Sequence, residues 1–513
     1  MERESIYQDH RKPGRSRQIL PGDQAGYSVK ASLFSFLFLL LACCIAFSFS
    51  FKDSSIASTY YIDSQKGDDR NKGTNVSSPW KTLSRLSRVS LKPGDTVRFK
   101  RGSSFTGPLV VRNSGTASKY ITLTDYGVDS DPAPAFTNPV FEEGNYGNCI
   151  RLAGSYIVVE NLYFSKTAAY KPIKYSGEGW DVWEMGAIHI ERDARHCIVR
   201  NNEIVDCVAG IRSNGEYAII EYNNIRDCNR ILRKWNWGPI GIWLGADHQE
   251  VRYNSIINYS AVHPKINWGP DAYGSGADGS AFEIDDARYD KTDIAIHHNY
   301  TRDCQGFLEV TWTDVKQKPH YAGFRIHHNV SDDYQQFIAL WRGEACRIEN
   351  NTIIRRKVNA NEWGVFNITQ FNSRNLIRNN IIVVENNVVV FNLGRKGNSK
   401  PGNIISHNLY YAMKDSLQMG KEGPGESAVF GDPLFVNYEH AKVPEDYRLR
   451  PGSPAIGKGL VLGYESDFAK QQLPREGNAD IGAFQFKERK SVAGAGNAKA
   501  VVMPLTSSPG HNY

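Results

Sequence analysis

Nine times along the chain an aliphatic residue, two variable positions and an Asn recur, usually followed within two positions by another apolar residue. The copies read Val158-Val159-Glu160-Asn161, Val199-Arg200-Asn201-Asn202, Ile220-Glu221-Tyr222-Asn223, Val251-Arg252-Tyr253-Asn254 and Ile296-His297-His298-Asn299. They continue with Ile326-His327-His328-Asn329, Ile348-Glu349-Asn350-Asn351, Ile377-Arg378-Asn379-Asn380 and Ile405-Ser406-His407-Asn408. The shortest separations, Asn202 to Asn223 and Asn329 to Asn351, are 21 and 22 residues. That length suits one coil of a β-solenoid, three short strands with three turns, and longer separations read as the same coil carrying inserted loops. Asn tolerates left-handed turn geometry, and its amides can hydrogen-bond between coils stacked about 4.8 Å apart. A helical repeat is excluded, because the units are rich in Val, Ile, Tyr, Asn and Gly and show no 3.6-residue stripe. The expected class is therefore all-β, a single-stranded right-handed parallel β-helix.

A chain of 513 residues accommodates one elongated solenoid as readily as several ordinary domains. Its net charge of +6 tolerates an acidic polymer without demanding one, and no dense Lys/Arg block marks a nucleic-acid partner. Eight cysteines are too few for a disulfide framework in a chain this long. Cys207, Cys228 and Cys304 each follow a repeat Asn by five residues, which reads as an internal stack of small hydrophobes. A Cys207–Cys228 disulfide between adjacent coils is the minority reading.

The N-terminus points to export. Residues 1–30 are polar and carry Arg3, Arg11, Lys12, Arg15, Arg17 and Lys30, and the apolar run Ala31–Phe51 is about long enough to span a bilayer. Positive charge ahead of the run keeps the N-terminus inside and sends the rest out. Leu40-Leu41-Ala42-Cys43 resembles a bacterial lipoprotein signal, so a retained membrane anchor, a lipidated Cys43 and a cleaved signal peptide stay open. All three give a membrane-anchored or secreted, extracytoplasmic protein (periplasmic or cell-surface), expected to act as a monomer.

The two ends of the repeat region resemble those of the pectin-lyase-like superfamily of right-handed β-helices. The N-terminal residues that carry the likeness are Tyr60-Tyr61-Ile62-Asp63, Gly73-Thr74, Ser78-Pro79-Trp80-Lys81-Thr82-Leu83 and Leu91-Lys92-Pro93-Gly94-Asp95-Thr96-Val97. At the other end stand Asp432-Pro433-Leu434-Phe435, Tyr447-Arg448-Leu449-Arg450-Pro451-Gly452-Ser453-Pro454-Ala455-Ile456 and Asp480-Ile481-Gly482-Ala483-Phe484. The resemblance implies a cap over residues 52–110 with a short helix near Trp80–Val89, coils over 111–430 and a closing segment over 431–486, while the Ala, Gly, Ser and Pro content of Lys487–Tyr513 reads as a disordered tail. It does not fix a chemistry, since lyases, hydrolases, epimerases and non-enzymes share such ends.

Loop insertions cluster between Lys171 and Gly274 and again near Trp312–Tyr321, and candidate site residues lie in and after them. Trp180, Trp183, Trp235, Trp237, Trp268, Tyr273 and Trp312 lie in loop insertions, where aromatic rings can stack on sugar faces; of these Trp235, Trp237, Trp268 and Trp312 are the expected substrate contacts. Half or more such side chains simply pack their own loops. Alternation in Phe282-Glu283-Ile284-Asp285 sends Phe282 and Ile284 inward and the two carboxylates outward, where they could hold calcium or serve as a glycosidase acid and base. Gly274, Gly276 and Gly279 have GxGxxG spacing, but a strand follows rather than a helix, which excludes a dinucleotide loop.

The order Glu309, then Lys316 and Lys318, then Trp341-Arg342-Gly343 one coil later loosely resembles the chondroitinase B and alginate lyase family. That resemblance implies Lys316 or Lys318 as base, Arg342 at the leaving oxygen, and Glu283, Asp285 and Glu309 as calcium or substrate ligands. The expectation is a polysaccharide lyase cleaving a uronate-containing polymer with calcium. A glycoside hydrolase using Asp278, Glu283 or Asp285, a C5-epimerase and a non-catalytic carbohydrate-binding β-helix are the alternatives. His297-His298 and His327-His328 occupy equivalent positions one coil apart. They could form a small ladder touching substrate or a metal, although no Cys or carboxylate stands at a supporting spacing.

Overall fold

The computed structural model describes residues 56–142, 144–168, 184–228, 230, 239–260, 279–286, 288–310, 320–356, 364–385, 388–393, 402–414 and 416–487. These wind into a right-handed parallel β-helix built from three long sheets, each with twelve strands among the described residues. Sheet I runs from Thr59–Ile62 to Ile404–Ser406, sheet II from Ser104–Thr106 to Val429–Phe430, and sheet III starts at Leu109–Val111. Neighbouring rungs are parallel throughout these three sheets, as in Ile198–Arg200 on Ile219–Glu221 and Phe282–Ile284 on Leu308–Val310. Strands of three to five residues suffice because the interior of a coil holds one or two side chains per strand, here mostly Ile, Val, Leu and Phe at essentially zero exposure. The short helix Leu83–Leu86 is capped by the Thr82 hydroxyl and buries Leu83 and Leu86 in that core.

The repeated Asn residues form one continuous ladder. Each side-chain oxygen from Asn223 to Asn408 accepts from both the backbone N–H and the amide of the ladder Asn one coil earlier, at 2.9–3.1 Å, starting at Asn202. The structure corrects the expected reason for Asn. The left-handed residue is the one before the ladder position: Asn201, Tyr222, Tyr253, His298, His328, Asn350, Asn379 and His407 have φ of 50–56°. Asn161 is likewise a left-handed corner residue (φ 62°), and Leu162 takes the ladder position beneath Asn202. The ladder Asn is there for its amide, which satisfies buried backbone groups that a turn leaves unpaired.

The six described cysteines, including Cys207, Cys228 and Cys304, are free, buried thiols, so no disulfide joins Cys207 to Cys228. Burial pushes the Cys207 and Cys228 thiols up to about 12. A second apolar cluster lies outside sheet II: Phe435, Tyr447, Leu449, Ile481 and Phe484 pack on Tyr300, Val330, Ile354, Ile381 and Leu409. Residues 435–484 thus fold back along the coils. The 31–51 run lies outside the described residues, among which no helix is long and apolar enough to cross a membrane.

Candidate functional site

Sheet III places one polar side chain per rung on a common line. Register aligns Arg151, His189, Arg212, Trp243, Glu283 and Glu309 in six successive rungs. Each sits between or beside core residues such as Ile188 and Ile190, Ile242 and Leu244, or Phe282 and Ile284, so the two-residue period sends it to the outer face. From His189 to Glu309 these outer side chains are nonetheless 0–5% exposed. Groups of this polarity are costly to bury unless they are paired or complete a binding site.

Arg212 is the centre of the line. Its guanidinium lies 4.4 Å from the Trp243 ring centroid and 3.8 Å from the Asp286 carboxylate, yet among the described residues none of its three nitrogens has a hydrogen-bond partner. His189 Nδ1, Trp243 Nε1 and the Tyr321 hydroxyl are also buried without a hydrogen-bond partner. One buried donor left unpaired costs about 1–3 kcal/mol. The unpaired donors of Arg212, Trp243 and Tyr321 therefore suit a ligand rich in oxygen acceptors.

The carboxylates around them differ in character. Glu184 lies 3.2 Å from His189 Nε2, and burial raises its pKa against the opposing charges of Arg212, Arg288 and Arg151. Burial also holds His189 neutral, aided by Arg212 and Arg151. Asp286 is held below the usual carboxylate range: burial opposes this, but the Arg288 hydrogen bonds and the charges of Arg212, Arg288 and Lys291 prevail. Arg288 Nε donates to one Asp286 oxygen and Nη2 to the other, each at 2.7 Å, and Arg192 Nη2 donates at 3.2 Å. Lys291 donates to the Asp286 and Tyr289 carbonyl oxygens, and its burial pushes the ammonium down to about 7.

Of the residues expected from sequence, Glu283 and Glu309 are register neighbours on adjacent rungs, and Asp285 follows Ile284 at the end of the same strand. All three are buried, at 4%, 5% and 4% exposure. Arg342 is half-buried where the register between Ile338–Glu344 and Phe366–Ser373 shifts, and it interacts electrostatically with Tyr321. Lys316, Lys318, Trp235, Trp237, Trp268, Trp312 and Asp278 lie outside the described residues. Sequence reasoning missed Glu184, His189, Arg212, Trp243 and Lys291. Most of them carried a signal: Ile188-His189-Ile190, Ile211-Arg212-Ser213 and Ile242-Trp243-Leu244 repeat the pattern of Phe282-Glu283-Ile284 at the matching place in earlier coils.

No family model matches the chain. A lacto-N-biosidase of Bifidobacterium longum subsp. longum is 34% identical over 89 residues, which are 17% of this chain and 6% of that protein. The match thus spans only a small part of this relative's length. Among solved structures, a lacto-N-biosidase from Eubacterium ramulus is 15% identical, with 71% of this chain and 68% of that one covered at a TM-score of 0.38. A pectate lyase is 14% identical over 85% of this chain and 98% of its own, with a TM-score of 0.48. The protein XylC, solved in complex with xylose, is 12% identical over 84% and 98% of the two chains, with a TM-score of 0.49.

Proposed function

We propose that this chain is a carbohydrate-active enzyme whose site is the outer face of sheet III, and that it hydrolyses glycosidic bonds with paired carboxylates. The observation that carries the reading is the buried line itself: Arg212 and Trp243 offer unpaired donors directly beside Glu283 and Glu309. Trp243 supplies an apolar face as well, and the sugar ring it would contact is apolar above and below. Glycoside hydrolysis needs one carboxyl that keeps its proton and one that is ionised, and environments that push carboxyl pKa values apart assign those roles. Glu184, raised by burial, fits the proton donor. Glu283 and Asp285 fit the nucleophile or base. The 34% match to a lacto-N-biosidase segment supports the same class.

The second reading is β-elimination from a uronate, with Lys316 or Lys318 as base and Arg342 at the leaving oxygen. The depressed ammonium of Lys291, which lies 4.9 Å from the Tyr321 ring centroid, adds a third candidate base to that reading, since a lysine that loses its proton near neutrality can accept one from carbon. In that reading Glu283, Asp285 and Glu309 would hold calcium through their oxygens, and the ion would neutralise the substrate carboxylate. Either enzyme would work outside the cytoplasm, tethered through residues 31–51.

The test incubates the protein with neutral and uronate-containing glycans, with calcium present or chelated, and follows reducing ends together with the ultraviolet absorbance of unsaturated sugars. Reducing ends without absorbance, lowered roughly 100-fold or more by Glu283→Gln or Asp285→Asn, are expected for hydrolysis. Absorbance that requires calcium and Arg342 would establish elimination instead. Silence in both channels with glycan binding retained would leave a binding module.

A further inference from the structure

On the corner between sheets I and II, in the same coils as Glu283 and Glu309 but off sheet III, two rungs stack histidine on histidine. The His297 and His327 rings lie 4.7 Å apart at 8°, and the His298 and His328 rings 5.2 Å apart at 12°. Within each rung the Nδ1 atoms face each other, at 2.7 Å between His297 and His298 and 3.0 Å between His327 and His328. One ring nitrogen from each of His297, His298 and His327 lies within 4.8 Å of the other two.

The protons decide what this corner can hold. His297 Nε2 is 3.1 Å from the Glu250 carboxylate, and His298 Nε2 is 3.4 Å from the Ser466 carbonyl. Both partners offer acceptor oxygens, and Arg252 donates to the same Glu250 carboxylate at 2.7 Å. With each Nε2 turned to an acceptor, the two Nδ1 atoms face each other across 2.7 Å, where their lone pairs can share a cation, a proton or a metal ion. Tyr464 closes the corner, stacking on His327 at 4.2 Å and donating to Glu349.

We propose that His297, His298 and His327 bind a divalent transition ion of borderline softness, Zn²⁺ or Co²⁺, through their ring nitrogens, with Glu250 orienting His297. All-nitrogen imidazole donors suit these ions rather than calcium or magnesium. A carboxylate on the far nitrogen of a ligating His is the usual outer partner of such sites. The ring motion required is small: nitrogens bonded at about 2.0–2.1 Å to one ion lie at most about 4.2 Å apart. Sequence spacing had hidden the supporting carboxylate, because Glu250 stands 47 residues before His297.

The test uses the full chain, without a histidine tag, stripped with chelator and titrated separately with ZnCl2, CoCl2 and CaCl2. One equivalent of Zn²⁺ is expected, with a rise in melting temperature, and Co²⁺ is expected to develop nitrogen-ligand visible bands. His298→Asn keeps the left-handed backbone that Asn tolerates, and it and His327→Gln should abolish the bands. Glu250→Gln should weaken Zn²⁺ by about 10–100-fold with an unchanged circular-dichroism spectrum. Absence of Zn²⁺ and Co²⁺ binding in the unaltered chain, or binding untouched by both His298→Asn and His327→Gln, would overturn the proposal.

Discussion

At the scale of single residues, one residue type does two jobs a position apart. Asn254 accepts from the Asn223 N–H and amide, and donates to the Ile220 carbonyl and to Asn299. Asn254→Ala leaves several buried groups unpaired at once, so a loss of about 3 kcal/mol is expected in denaturant unfolding. Asn161→Ala removes a left-handed corner preference and one hydrogen bond, donated to the Thr124 hydroxyl, and should cost about 2 kcal/mol by the same measurement. The repeat pattern made both residues visible, yet it could not separate them, because a one-residue offset between corner and ladder is set by the turn geometry.

Lys291 supplies a second prediction at this scale. Its folded pKa of about 7 lies below the ordinary lysine value, so above pH 7 the unfolded chain holds a proton that the folded one has released. Its contribution to stability therefore rises as pH climbs from about 7 towards 10.4, and is flat below 7. In denaturant unfolding across that range, the stability of the chain relative to Lys291→Met should rise with pH. Neither the lysine nor its pKa could be inferred from sequence, since only the fold surrounds it with Asp286, Tyr289 and Tyr321.

At the scale of the element, the strands of sheet III couple the core to the site. Gly241 precedes Ile242-Trp243, and a Cβ there would lie 2.6 Å from the Ala281 carbonyl oxygen and 2.9 Å from Ile256 Cδ1. Gly241→Ala must push the next rung, which carries Glu283, away from Trp243. A stability loss of about 1–3 kcal/mol is expected from such overpacking. A fall in glycan turnover larger than for a core change of equal cost elsewhere, such as Ile353→Ala, would show that the rung spacing positions the carboxylates. The alternation that put Glu283 and Asp285 outside was legible in six residues of sequence. That the same face continues back through Trp243, Arg212 and His189 was not, because insertions of unequal length hide which triplets are register partners.

At the scale of the whole molecule, the solenoid stores its thiols inside. Cys149, Cys197, Cys207, Cys228, Cys304 and Cys346 are buried and free, with pKa values raised by desolvation. A thiol reagent needs both access and thiolate. In a chain carrying Cys43→Ser and Cys44→Ser, these six should label only at the rate of unfolding, and reductant should leave the denaturation midpoint unchanged. Fast labelling of any of them in the native protein would mean that a coil opens locally.

The sequence by itself determined the coil: an aliphatic pair pointing in, one ladder Asn per coil and a length near 21 residues leave a parallel β-helix as the arrangement that pairs the strands and buries the repeated aliphatic side chains. It also determined that carboxylates on Phe282–Ile284 and its successor would face outward, since a period of two is a local property of extended backbone. Only the tertiary structure decided which outward residues meet. Stacking brings Arg212, Trp243, Glu283 and Glu309 into consecutive rungs, and Glu250 onto His297, across separations of tens of residues. Contacts between coils depend on the summed lengths of everything inserted between them, and no local pattern encodes that sum.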